Sequence, residues 1–207
     1  MKTVKTPIRF KFDVDKFIAC VSFFANKKLK GLTKLKICKL LYYTDKFHLI
    51  KHGRPVTGDI YFSMDNGPVP SISKYIMDEL VSRDEVNTND GEETNIDKFS
   101  RYLRISRGLQ YKYPIFILKQ MPDLECFSES EIETLEGISK IYGQYTAREL
   151  VDMTHKEAPW QKSSLNAEID YRLFFENEAN SRPEALEYME SMQENTELIL
   201  GLELKCA

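Results

Sequence analysis

The stretch TKLKICKLLYYTDKFHLIKHG, residues 33–53, decides the fold. Thr33 is a favourable N-cap for a helix, and Gly53 is the type of residue that follows a helix end. Between them, apolar residues cover nearly the whole circumference of the predicted helix rather than one stripe: Leu35, Ile37, Cys38, Leu40, Leu41, Tyr42, Tyr43, Phe47, Leu49 and Ile50. A helix that is apolar on nearly all sides is surrounded by other elements. The sequence therefore predicts a domain built around a buried central helix.

Basic residues are concentrated upstream of the middle of this helix. Residues 1–44 have a net charge of +9 and residues 166–207 a net charge of −7, although the whole chain sums to −3. Such a split indicates either a charged partner or two ends that neutralise each other within the fold. The lysines that are candidates for partner contact lie near or on the one polar sector of the central helix: Lys28, Lys30, Lys36, Lys39 and Lys46.

Short elements are predicted on either side of the central helix. An upstream helix begins near residues 13–15, where Asp can cap exposed N–H groups. Downstream, residues 59–64 have the pattern of a short strand. Residues 66–71 predict a rigid loop, because Gly67 favours a positive φ and two prolines fix their own φ. A further helix follows this loop.

The middle of the chain predicts a loop, a hairpin and two helices. Residues 84–97 are rich in Asn, Asp, Glu, Thr and Gly, which indicates a loop. Residues 99–105 and 111–119 predict an antiparallel β-hairpin. The sequences SESE at 128–131 and TARE at 146–149 are capping boxes, and each predicts a helix start.

The last part of the chain predicts a long amphipathic helix that opens at Arg182-Pro183. Such a helix either packs on the domain or is presented to a partner. The apolar side chains along one side of it are therefore candidate partner contacts: Leu186, Met189, Met192 and Ile199. The chain divides on this basis into a domain of residues 1–165 and an acidic helical segment of residues 166–207, packed on or next to the domain.

Three residues of the central helix could bind a metal ion. Asp45, His48 and His52 are spaced so that they share one helix face, and a carboxylate with two imidazoles could hold zinc. The alternative is a structural cluster in which Asp45 and His48 satisfy each other or the backbone. The sequence offers no obvious fourth ligand, so neither a metal nor another cofactor is expected.

Two further functional alternatives start from other residues. His155 could serve acid–base chemistry if Cys126 or Ser128 met it in space as a nucleophile, although the sequence contains no phosphate-loop or nucleophile-elbow motif. The basic region of residues 27–39, with two tyrosines nearby, could contact nucleic acid, but the overall acidity of the chain disfavours this. No catalytic residue is therefore assigned, and nucleic acid is a less favoured partner than protein.

Composition excludes several classes of protein. No stretch approaches the ~20 apolar residues that a membrane span needs, and residues 1–11 lack the apolar run of a signal peptide. The four cysteines form no close pair, which is typical of reduced thiols. We therefore expect a cytoplasmic protein that does not enter a membrane.

Four stretches together resemble one known family. KLLYY at 39–43, HGRPVTGDIY at 52–61, NGPVP at 66–70 and ELVDMTHKEAPW at 149–160 occur in an order and spacing similar to those of the Panacea domain. The resemblance spans residues 15–165. This family includes SocA-like antitoxins and many phage-associated proteins.

The resemblance implies a compact, mainly α-helical α+β domain with a small antiparallel β-hairpin. It further implies the antitoxin of a toxin–antitoxin system, with a cognate protein toxin as partner and, if the chain is an adaptor, a protease as well. A homodimer is an open alternative for the oligomeric state. The residues that carry the family motifs are assigned to holding the fold: Leu40, Leu41, Tyr42, Gly53, Gly67, Pro68, Val69, Thr154, His155, Pro159 and Trp160.

Overall fold

The computed structural model describes residues 6–82, 93–107, 112–179 and 181–203, with side chains described as far as Gln193. Helices dominate this part of the chain, and two small hairpins and a short 3₁₀ helix accompany them. The elements run in the order α1 Val14–Asn26, α2 Lys34–His52, β1 Tyr61–Met64, β2 Gly67–Pro70, α3 Ser71–Ser82, α4 Asn95–Tyr102, β3 Leu103–Ser106, β4 Ile115–Leu118, α5 Glu129–Ile141, α6 Ala147–Thr154, α7 Ala158–Gln161, the 3₁₀ helix Tyr171–Phe175 and α8 Pro183–Glu203. The predicted mainly helical fold with a small β element is confirmed.

Helix α2 is the buried centre of the fold, as its sequence predicts. The Thr33 side chain accepts a hydrogen bond from the backbone N–H of Lys36, and Gly53 ends the helix with a positive φ of 74°. Helices α3, α5, α6 and α8 and strand β2 pack around it. Even its polar residues are enclosed, so this helix has no solvent-facing side over most of its length.

The first hairpin differs from the prediction of a rigid loop at residues 66–71. Strand β2 pairs antiparallel with β1, and Gly67 begins it with a φ of 85°. The prolines at 68 and 70 are compatible with this strand because each strand of a two-stranded sheet has one edge that needs no N–H donor. On its other edge, β1 bonds to the chain near Ala167: the N–H of Ser63 donates to the Ala167 carbonyl at 2.9 Å.

The second hairpin is confirmed, but its first strand begins later than the sequence predicts. Strands β3 and β4 pair antiparallel, whereas residues 95–102 form helix α4. A capping box between Thr94 and Asp97 starts this helix. Phe99 then turns inwards and stacks on Phe17 of α1, with ring centroids 5.1 Å apart. The predicted loop at 84–97 lies largely outside the described residues.

The acidic C-terminal segment contributes to the same core as the rest of the domain. Tyr171 and Phe174 of the 3₁₀ helix are buried, and so are Ala185 and Met189 of α8. The Tyr171 hydroxyl donates a hydrogen bond of 2.6 Å to the carbonyl of Asp59. None of the described helices is both long enough and apolar enough to cross a membrane.

Candidate functional site

Several of the motif residues meet around Gly67 in the interior. The ammonium of Lys39, fully buried, donates to the Pro68 carbonyl at 2.7 Å. A Cβ atom at Gly67 would lie 2.5 Å from the Thr154 hydroxyl oxygen and 2.8 Å from the Lys39 nitrogen. Burial lowers the pKa of Lys39 to about 8. Glycine is required at this position for two reasons, its positive φ and the close approach of two buried polar groups.

His155 and Trp160 cover this cluster with stacked rings. Their centroids are 3.9 Å apart and their planes differ by 18°. The indole N–H of Trp160 donates to the carbonyl of Met64 at 2.9 Å, which connects α7 to the first hairpin. Desolvation, with a further contribution from the charge of Lys39, keeps the pKa of His155 below its ordinary value. Trp160 thus has the contacts of a structural residue, whereas His155 packs on it with an enclosed Nε2 atom that has no hydrogen-bond partner within the described part of the chain.

A second buried network surrounds Lys46. Its ammonium pairs with Glu157 at 2.8 Å and with Glu178 at 2.5 Å, while its side chain is 2% exposed. Glu157 also accepts a hydrogen bond of 2.5 Å from the hydroxyl of Tyr42. Burial and the Glu157 charge raise the pKa of Tyr42 well above its ordinary value. The network joins α2 to the start of α7 and to the segment that leads into α8.

Asp45 anchors the link that follows α2. Its carboxylate accepts hydrogen bonds from the N–H groups of Val56 and Thr57 at 2.9 and 2.7 Å, and from the hydroxyls of Thr57 and Tyr61 at 2.5 and 2.9 Å. Burial raises its pKa to about 6, although these hydrogen bonds oppose the shift. With four donors already bound, Asp45 has a structural part in holding residues 56–61.

The candidate zinc ligands Asp45, His48 and His52 do not assemble into a metal site among the described residues. His48 hydrogen-bonds through Nδ1 to the carbonyl of Arg54 at 2.7 Å and through Nε2 to the hydroxyl of Ser130 at 3.1 Å. Because a carbonyl only accepts, Nδ1 carries the proton. Burial lowers the pKa of His48 to about 4. The ring of His52 lies beside it at a tilt of 32°, with ring centroids 4.6 Å apart. Asp45 bonds to other groups, and the described residues contain no cluster of three His, Cys, Asp or Glu side chains that could hold a metal.

The structure does not bring His155 to either predicted nucleophile. The thiol of Cys126 contacts the carbonyl of Asp123, and the hydroxyl of Ser128 contacts that of Ser130. His155 instead lies against Trp160. The described contacts therefore give no support to a nucleophile activated by this histidine.

Three of the five candidate contact lysines are in the interior, which corrects the expectation that they form a surface. Counted over the whole residue, the exposed fraction is at most 1% for Lys36, Lys39 and Lys46. The ammonium of Lys36 donates to the carbonyls of residues 30 and 143, each at 2.8 Å. The physical reason is that α2 is enclosed on every side, so its polar sector faces other protein groups. Lys28 and Lys30 remain exposed.

Much of the N-terminal basic charge is neutralised by acidic residues from later parts of the chain. The ion pairs are Arg9–Glu168, Lys16–Glu131, Lys27–Glu136 and Lys34–Asp78. Three of these pairs involve acids more than a hundred positions away. This pattern supports the interpretation that oppositely charged regions neutralise each other within the fold.

The candidate contacts of α8 are divided between its two sides. Met189 is fully buried because this side of the helix packs against the domain. This burial corrects the assignment of Met189 as a surface contact. Leu186 is half-buried, and Met192 is 46% exposed. The side chain of Ile199 lies outside the described residues.

The comparison with protein families decides the classification. Residues 37–161 match the family model described as "Antitoxin SocA-like, Panacea domain", which covers more than half of the chain. The chain belongs to this Panacea-domain family. The matched region begins in α2 and ends in α7, so it contains the Gly67 cluster and Lys46 with Glu157. A comparison with curated proteins and one with solved structures each found no match.

The most informative side chains beyond the predicted set are Glu157 and Glu178. Neither is a predicted site residue, although both bind Lys46. One sequence signal implies that such partners exist, without identifying them: a lysine on a helix that is apolar all round needs a carboxylate partner in the interior. Glu157 lies within the THKEAPW motif of the Panacea domain, whereas Glu178 lies beyond the matched region.

Proposed function

We propose that this protein is the antitoxin of a toxin–antitoxin system and that it neutralises a cognate toxin by direct protein–protein binding. The observation that carries the proposal is the match of residues 37–161 to the SocA-like antitoxin Panacea domain. We propose no enzymatic activity, because the described surroundings of His155 are those of a packed structural ring.

The geometry supports a binding scaffold whose motif residues build the interior. Lys39 and Lys46 are enclosed, so the toxin contact must be sought on other side chains. Helix α8 offers such a surface. Met189 fixes one side of it on the domain, while Tyr188 and Met192 are 48% and 46% exposed on the other. Large exposed apolar residues of this kind support protein binding when they are close together.

Two elaborations belong to the same proposal. In the first, the complex is delivered to a protease, and the toxin is then degraded in a protease-dependent way. In the second, the protein acts in the cytoplasm, which the free thiols of Cys20, Cys38 and Cys126 support. The alternative of a nucleic-acid regulator loses support, because much of the N-terminal basic charge is buried or ion-paired.

A growth experiment tests the proposal. The open reading frame adjacent to the gene is expressed from an inducible promoter, alone and together with this protein. We expect the adjacent product to stop growth by itself, and co-expression to restore growth with both proteins recovered in one complex. Growth arrest that a stably folded, well-expressed form of this protein fails to relieve would contradict the proposal.

A further inference from the structure

A cleft lies between the C-terminal end of α2 and the N-terminal end of α8. It is an open surface depression of about 570 Å³, lined by Lys51, His52, Arg182, Glu184, Ala185 and Tyr188. Gly53 allows the two helices to meet there. A Cβ at this glycine would lie 2.7 Å from Cδ1 of Tyr188 and 2.8 Å from the Ala185 carbonyl oxygen. We call this feature the α2–α8 cleft.

Cationic side chains surround His52 at the α2 end of the α2–α8 cleft. Arg54 and Arg182 are exposed, and neither guanidinium has an ion-pair partner among the residues that the structure describes. Lys51 pairs with Glu133 at 3.1 Å, and Glu184 adds one further carboxylate. The exposed carboxylate of Glu187 follows one helical turn further along α8, so the two guanidinium groups lie at the α2 end of the cleft and the two carboxylates on α8.

His52 responds to this environment. Desolvation lowers its pKa below the ordinary value, and the charges of Lys51, Arg182 and Arg54 lower it further. Its Nε2 atom is enclosed and has no hydrogen-bond partner within the described part of the chain. The ring of His52 thus borders the cleft, and the neighbouring cations disfavour its protonation.

An apolar strip adjoins these charges. Tyr188, which lines the cleft, is 48% exposed, and Met192 is 46% exposed. The two residues are four positions apart on α8 and so lie on one face of the helix. Of these two residues, Tyr188 borders the cleft together with Arg182.

We propose that the α2–α8 cleft is the docking site for an acidic segment of the protein partner. A carboxylate of this segment binds the guanidinium groups of Arg54 and Arg182, and an adjacent apolar side chain packs on Tyr188. Charge complementarity argues for this occupant. The identity of the partner as a toxin rests on the proposed function, whereas the chemistry of the cleft does not.

A nucleic acid fits the same surface less well. A phosphate backbone carries a regular series of negative charges. Along this surface it would meet Glu133 and Glu184 as well as the two arginines. A peptide can place one carboxylate between the arginines and present apolar atoms beside it, so the observations favour a polypeptide.

A peptide titration tests the cleft directly. The probe is a short fluorescein-labelled peptide of repeating Asp-Phe-Glu-Ser units, and fluorescence anisotropy measures its binding to the full chain. We expect saturable binding that Arg54→Gln and Arg182→Gln each weaken about tenfold, since each removes a charge-assisted hydrogen bond. Arg104→Gln is the matched control, because Arg104 is an exposed arginine of strand β3 and lies away from the cleft.

Each contrary outcome overturns the inference. Absence of saturable binding to the wild-type chain would do so, and so would equal weakening by Arg104→Gln. Binding of an unlabelled duplex DNA that displaces the peptide and is weakened by Arg182→Gln would assign the cleft to nucleic acid. A homodimer that Arg182→Gln dissociates would assign it to a second copy of this chain.

The growth experiment separates this inference from the proposed function. If the variant carrying both Arg54→Gln and Arg182→Gln neutralises the toxin as well as the wild type does, the cleft inference fails and the antitoxin function stands. If no toxin is neutralised but the peptide titration gives the expected pattern, the antitoxin function fails and the cleft stands. Circular dichroism is the control for folding. Because the substituted side chains are exposed, we expect the variants to give the spectrum of the wild type.

Discussion

Substitution of Gly67 by alanine tests whether the motif cluster holds the fold. At a φ of 85°, an L-residue costs about 1–2 kcal/mol. The new Cβ would also lie 2.5 Å from the Thr154 hydroxyl and 2.8 Å from the Lys39 ammonium, both buried. Overpacking of this kind costs about 1–3 kcal/mol. We therefore expect Gly67→Ala to lower the free energy of unfolding by about 2–5 kcal/mol.

Gly31 provides the matched control for this substitution. Its φ is 61°, and a Cβ there would meet no atom within 4 Å. Gly31→Ala should therefore cost only the conformational part, about 1–2 kcal/mol. Urea unfolding followed by the fluorescence of Trp160, the single tryptophan, measures both variants. If Gly67→Ala were no more destabilising than Gly31→Ala, the close packing around Gly67 would not be what stabilises this region.

Two further predictions concern buried charges. Asp45→Ala should destabilise the protein by about 2–5 kcal/mol because it leaves buried N–H and hydroxyl donors without an acceptor. Asp45→Asn should cost less, about 1–3 kcal/mol, because its carbonyl still accepts both N–H groups while the hydroxyl protons of Thr57 and Tyr61 lose their acceptor. Thermal unfolding compares the two variants. Lys39 has a folded-state pKa of about 8, below the value of 10.5 for the free side chain, so the unfolded state binds more protons between these values and stability should rise with pH. Relative to Lys39→Met, we expect a gain of about 2 kcal/mol from about pH 8 to about pH 10, and a flat difference would contradict the burial of a charged Lys39.

The central helix could be predicted from sequence because its determinants are local. Thr33 and Gly53 mark its ends, and the apolar residues between them leave no side for solvent. Helix α4 could not be predicted in the same way. Its capping box uses Asp97 in place of the more usual Glu or Gln. In addition, the residues from Phe99 onwards have the pattern of a strand.

The candidate site was harder to predict than the fold because its contacts join distant parts of the chain. Lysine side chains occur mostly at protein surfaces, so the sequence alone gives no reason to place Lys36, Lys39 and Lys46 in the interior. Sequence periodicity also does not reveal their interior partners. Glu157 lies more than a hundred positions from Lys46, and no spacing rule connects them. The α2–α8 cleft depends in the same way on Arg182 coming back against the end of α2, where its N–H donates to the Ile50 carbonyl at 3.0 Å.

Calorimetric titration of the purified protein with the purified product of the adjacent open reading frame tests the central claim most directly. Direct neutralisation predicts a saturable complex of fixed stoichiometry between the wild-type protein and this product. Docking in the α2–α8 cleft predicts in addition that the dissociation constant is unchanged for Arg104→Gln and at least about tenfold weaker for the variant carrying Arg54→Gln and Arg182→Gln. Restored growth without any measurable complex between the folded partners would show that the rescue does not proceed by direct binding.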